Sequence, residues 1–160
     1  MNMELIVNIE PFSWGAIGAS ILCGVIVGIE RQVRGKPAGI RTSSLIVLGT
    51  YLFVAIALLS ATEATDPSRI IGQVVTGIGF LGAGVMLAKK GMVIGVTSAA
   101  VIWALAALGV CIAIVGELVA IKLAIVIVLI LHGVDVVEMN FESLTKGIHA
   151  KYANWRQPKP

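Results

Sequence analysis

Apolar residues run along this chain in five long blocks, at about 12–29, 44–61, 70–88, 92–115 and 118–137. Each has the length, about 20 residues, at which a helix crosses ~30 Å of hydrocarbon. Alternating ten-residue segments, the signature of a membrane β-barrel, are not seen. The pattern predicts an all-α polytopic membrane protein with five transmembrane helices. Residues 1–137 form its membrane domain. The 23 residues of 138–160 are too few for an independent core.

Within that tail, Val134, Val137, Phe141, Leu144, Ile148 and Trp155 recur at steps close to a helical repeat. An amphipathic helix on the inner leaflet is expected, with Tyr152 and Trp155 at headgroup depth. A short coiled-coil contact between protomers is the competing reading.

Composition agrees with the pattern: 58% of residues are hydrophobic and 13% are charged. A soluble domain has too few charges at that level to cover itself. The net charge of +3 reads as topology, with no nucleic-acid partner expected. With the N-terminus outside, Arg31, Arg34, Lys36, Arg41, Lys89, Lys90 and the four bases of the tail all fall inside. Only Arg69 and Lys122, of 12 basic residues, fall outside. That bias predicts an N-out, C-in arrangement. Met1-Asn2-Met3-Glu4 carries no basic leader, so no cleaved signal peptide is expected. Cys23 and Cys111 sit inside apolar blocks and read as free thiols.

Polar residues and glycines inside the blocks carry the candidate chemistry. Gly77-x-Gly79-x-x-Gly82 spells a dinucleotide fingerprint, but no soluble strand–turn–helix unit surrounds it. The third block is instead a helix, capped by Asp66, started by Pro67 and followed by a turn at Gly91. Arg69, Gln73, Thr76 and Phe80 share one face of it. An amide in lipid needs a partner, so Gln73 should face the bundle or a wet cavity. Interhelical bonding and a solute path both satisfy that. Gly72, Gly77, Gly79, Gly82 and Gly84 leave the helix bare, either for close packing or as the mark of a broken helix.

In the first block, Ser20, Gly24 and Gly28 form a small-residue ladder suited to helix contact, within the chain or in a dimer. In the basic loop after it, an ion pair of Glu30 with Arg34 is expected if the helix continues. Arg31 belongs to the same cluster. Gly35, Pro37 and Gly39 supply turn geometry. Arg41 either folds back to Glu30 or meets an anionic partner, and anionic lipid attraction alone also accounts for the bases. Thr42 and Ser43 are expected to cap the second helix.

Thr97 and Ser98 open the fourth block and are expected to serve packing. His132, Asp135, Glu138 and Glu142 read as a solvated face rather than a magnesium site. No nucleophile–base pair, phosphate loop or zinc spacing appears. The expected class is non-enzymatic, with no cofactor and no metal site.

The segments Gly28-Ile-Glu-Arg31, Arg34-Gly-Lys-Pro-Ala-Gly-Ile-Arg-Thr42, Asp66-Pro-x-Arg69, Gln73 through Gly84, and Thr97-x-Ala-Ala-x-x-Trp103 resemble the MgtC/SapB family of bacterial inner-membrane proteins. The resemblance covers roughly residues 12–137. It implies a multi-pass protein of the bacterial inner (cytoplasmic) membrane, in a short form lacking the family's C-terminal ACT-like domain. It also implies adaptation to low magnesium and, in pathogens, intracellular survival. The implied activity is regulation of other inner-membrane proteins, among them the proton-translocating ATP synthase. Ion transport by an oligomer, through the polar face of the third span, is the alternative.

Overall fold

In a computed structural model, residues 8–61, 66–89 and 92–140 are described. For Pro67, Lys89, Met92 and 134–140 only the backbone is. These residues form five helices and one two-stranded hairpin: α1 (Trp14–Val33), α2 (Ile40–Leu59), α3 (Pro67–Gly84), β1 (Leu87–Lys89), β2 (Met92–Ile94), α4 (Val96–Ile114) and α5 (Glu117–Asn140). By length and composition α1, α2 and α4 are fit to cross a membrane. The expectations for Gly91 and for the tail beyond Asn140 lie outside the described residues.

Helix α1 runs four residues past the expected end at 29, because Glu30 and Arg34 pair across one turn, Oε1 to Nε, at 2.7 Å. It then stops in a Schellman motif. Gly35 takes φ +61°, its N–H reaches Gln32 O, and the Lys36 N–H reaches Arg31 O at 2.9 Å. Only a residue tolerant of positive φ fits that corner.

The capping expected of Thr42 and Ser43 is not found. Helix α2 starts earlier, at Ile40, with Gly39 as its N-cap and no side-chain cap bond. Gln32 Oε1 accepts from the Ile40 N–H at 3.3 Å instead. Ser43, already inside the helix, donates its hydroxyl to Ala38 O at 2.8 Å.

A second correction falls on the joint between the third and fourth blocks. Residues 85–89 and 92–95 are not helical. They hold an antiparallel pair in the register Leu87↔Ile94, Ala88↔Val93, Lys89↔Met92. Helix α3 ends at Gly84, and its capping residue Val85 turns tightly back onto Gly82 O. Gly95 sits at φ +93°, packed so closely that a Cβ there would strike Val85 O. A left-handed residue under that contact separates the hairpin from α4, which starts at the next residue.

The core lies between α1, α2, α4 and α5. Cys23 and Val27 of α1 meet Val47 and Tyr51 of α2, Leu105 and Leu108 of α4, and Ala120 and Ala124 of α5. The Ser20, Gly24, Gly28 ladder serves a contact inside the chain. Side chains at Gly24 and Gly28 would overlap the backbones of Ser44 and Ile40 on α2. Ser20 is buried and closes on its own helix, hydroxyl to Ala16 O at 2.7 Å. Gly109 of α4 does the same work toward Val47 and Thr50 of α2. Apolar tails pack no better against each other than against lipid, so close approach of this kind holds such helices together. Both cysteines are free, Cys23 buried and Cys111 half-buried.

Candidate functional site

Two regions hold the residues singled out by the sequence. The first is the end of the bundle where α1 leaves for the basic loop. Arg31, only 3% exposed, donates from Nη2 to Ser98 Oγ at 2.6 Å. Its Nε points to Pro37 O at 3.4 Å. This buried cation thus ties the loop to the first turn of α4. Beside it, Arg34 bridges two helices. It holds Glu30 through Nε, and its Nη2 donates to His132 Nδ1 on α5 at 2.8 Å. An arginine has only donors, so the ring nitrogen is the acceptor. The Glu30 side chain is 9% exposed, and its Oε2 is buried without a hydrogen-bond partner among the described residues. Glu30, Arg34 and His132 therefore form one network, and Arg31 with Ser98 and Pro37 forms a second at the same end of α1. Arg41 is exposed on the first turn of α2, and Thr42 beside it is exposed as well.

Sequence reasoning paired Glu30 with Arg34 but missed Arg31 with Ser98. Those two stand 67 residues apart, beyond any helical spacing rule. Thr97, the neighbour of Ser98, is exposed. His132 belongs to the network, while the side chains of Asp135 and Glu138, and all of Glu142, lie outside the described residues. Among the described residues no group of three or more His, Cys, Asp and Glu side chains forms a metal-holding cluster.

The second region is α3. Asp66 caps it as expected: its carboxylate accepts from the Ser68 N–H at 2.9 Å and from the Ser68 hydroxyl at 2.8 Å. Those two bonds, the hydroxyl's first, hold the Asp66 carboxyl below the usual carboxylate range. The helix is continuous from Pro67 to Gly84, so the broken-helix reading of its glycines does not hold.

Close packing fits only one glycine of the five. Gly82 is buried against Ala99 of α4. Around Gly72, Gly77, Gly79 and Gly84, a Cβ would meet nothing within 4 Å. Arg69, Gln73, Thr76 and Phe80 are all exposed on the isolated chain, Phe80 at 81%. Thr76 satisfies its hydroxyl on its own helix, at Gly72 O, 2.8 Å. Gln73 and Gly77 line an open groove of ≈ 680 Å³ between α2 and α3. Thr42 and Thr50 add the other polar atoms, and the rest of its wall, including Ile46, Phe53, Val74 and Leu81, is apolar.

An apolar helical bundle with arginines locked at one end, and an open helix on one flank, defines a small helical membrane protein. Comparison with known proteins narrows that class. The MgtC family profile matches residues 17–140, and the chain belongs to that family. It is 47% identical over 98 residues to the putative magnesium transporter YhiD of Escherichia coli K12, covering 57% of this chain and 45% of that protein. It is 44% identical over 93 residues to Protein MgtC of Salmonella typhimurium, covering 58% of this chain and 39% of the relative. An uncharacterized protein of Haemophilus influenzae is 39% identical over 100 residues, covering 57% and 42%. The chain thus spans less than half the length of the curated relatives it matches. No solved structure matches it.

Proposed function

We propose that this chain is a non-enzymatic regulator in the bacterial inner membrane. It acts on other membrane machinery in adaptation to low magnesium and, in a pathogen, in intracellular survival. In this reading five helices cross the bilayer, N-terminus outside and C-terminus in the cytoplasm. The magnesium connection rests on the names of the relatives, a putative magnesium transporter and MgtC itself.

One observation carries the regulatory reading. Four glycines of α3 face open space, although bare helix surface in a membrane is the surface on which a second helix packs. The neighbour that would fill it is not among the described residues. A partner membrane protein supplies it, the proton-translocating ATP synthase being one such machine. The other polar groups fit the same reading: Arg31 binds Ser98 and Arg34 binds His132, each pair tying α1 to another helix.

Transport is the second reading, and Gln73 favours it. Its amide lines the α2–α3 groove together with Thr50, and an oligomer would close that groove into a path. Purified full-length chain in liposomes separates the two. The regulatory reading expects Mg²⁺, K⁺ and proton fluxes equal to those of empty vesicles. A saturable Mg²⁺ flux that Gln73→Leu abolishes would replace it with transport.

A further inference from the structure

The groove between α2 and α3 runs along α2 from Thr42 to Phe53. At a rise of ~1.5 Å per residue, that stretch of helix is about 16 Å long. This is close to half of a ~30 Å hydrocarbon core, the depth of one leaflet. Most of the wall is apolar, with Leu45 and Phe53 from α2 and Ile70 and Leu81 from α3. Thr50 offers it little polar surface, being 3% exposed.

The mouth of the groove has a different chemistry. Thr42 lines it and is exposed. Arg41 precedes Thr42 and is exposed too. It stands one turn before Leu45, so the two lie along the same side of α2. The sequence offers Arg41 two partners, Glu30 or an anion. Glu30 is engaged elsewhere: its Oε1 holds Arg34 at 2.7 Å, and its Oε2 meets no hydrogen-bond donor among the described residues. No described carboxylate pairs with Arg41. A guanidinium carries five donors in a fork that matches a phosphate, and the Thr42 hydroxyl adds another donor beside it.

One occupant answers both the apolar length and the cationic mouth. A helix of another protein would fill the length but brings no anion to Arg41. A phospholipid with a negative headgroup brings an acyl chain and a phosphate in one molecule. Basic pockets between membrane helices on the cytoplasmic side are where such headgroups bind.

We propose that the α2–α3 groove holds one anionic phospholipid, its phosphate at Arg41 and Thr42 and an acyl chain along the wall toward Phe53. In the orientation proposed above, this lipid comes from the inner leaflet. The site is separate from the bare face assigned to a partner, since Gly72, Gly79 and Phe80 do not line the groove. The inference therefore goes beyond the regulatory reading, and its failure leaves that reading standing. A bound acyl chain would, however, occupy the path that transport needs.

The test is native mass spectrometry of the purified full chain in detergent with equal amounts of palmitoyl-oleoyl phosphatidylglycerol and phosphatidylcholine. The wild type should retain one phosphatidylglycerol in about fivefold preference, the scale of one basic residue at an anionic surface. Arg41→Gln should still retain lipid but without the preference. Gly49→Leu fills the groove from a position where a Cβ meets nothing within 4 Å, so the chain should fold and retain neither lipid. Gln73→Leu makes the wall more apolar and should keep both retention and preference. No preference in the wild type, an unchanged preference in Arg41→Gln, or unchanged retention in Gly49→Leu overturns the proposal. A photoreactive residue in place of Leu45 tests the other occupant in cells. Lipid adducts that Gly49→Leu diminishes support the site, and a discrete protein adduct there overturns it.

Discussion

Two flanks of this small bundle use glycine in opposite ways. Between α1, α2 and α4, Gly24, Gly28 and Gly109 are places where any side chain would run into a neighbouring helix. On α3, a Cβ at Gly72, Gly77, Gly79 or Gly84 would meet nothing within 4 Å among the described residues. No α3 side chain is among the buried hydrophobic core of the described residues; Ile78 packs against that core only partly buried. The first set explains itself within the chain: absent side chains let backbones meet, and the core closes over them. The second set has no such reason among the described residues. Bare helix costs conformational entropy, and no contact among the described residues offsets it. On the proposed reading, the α3 flank meets a partner while the other flank closes the core.

The strongest way to break this comparison is to fill the closed side. Gly24→Leu or Gly109→Leu puts atoms where the α2 backbone already lies. Loss of ~3 kcal/mol or more is expected, seen as collapse of the monodisperse peak in detergent chromatography. Normal thermal stability of either variant would mean the helices do not approach as described.

Next in size is the buried arginine. Ser98→Ala removes the closest acceptor of Arg31, and about 1–3 kcal/mol should be lost in detergent unfolding. Ser98→Thr, which restores the hydroxyl, should recover most of it.

A smaller effect is expected at the start of α3. The Asp66 carboxyl is held below its ordinary range by Ser68. Its capping contribution is therefore present above the unfolded carboxylate range and lost as pH falls through the lower folded value. Hydrogen exchange at residues 68–70 should rise with acidification in the wild type. In Asp66→Ala it should already be raised and should not change with pH over that range.

The smallest effect on stability sharpens the contrast most. Gly79→Ala adds a methyl group into open space, so stability should stay level or rise by up to ~1 kcal/mol. A loss of more than that, measured in the same unfolding assay as Gly24→Leu, would show a neighbour within the chain that the structure lacks.

Much of this was legible in the sequence wherever the cause is local. Asp66-Pro67 announces a helix start because cap and first turn are adjacent residues. Glu30 and Arg34 pair because four residues are one helical turn. The Ser20, Gly24, Gly28 ladder declares a helix contact, though not whether the partner is α2 or a second copy. The hairpin was hidden, because a short apolar run on either side of two lysines and a glycine prolongs the hydropathy of its neighbours. The start of α2 was misplaced, since Thr42 and Ser43 look like caps while the actual cap is Gly39, helped by Gln32 from the preceding helix. Arg31 with Ser98 and Arg34 with His132 depend on how α1, α4 and α5 pack, and no spacing along the chain encodes that.

The central claim is that the open face of α3 belongs to another membrane protein. Photo-crosslinking in living cells tests it most directly, with a photoreactive residue in place of the outward-facing Phe80. The account predicts a discrete adduct with a protein other than this chain, weakened when Gly79→Leu fills the bare surface beside it. Adducts with lipid alone, or a protein adduct indifferent to Gly79→Leu, would contradict it.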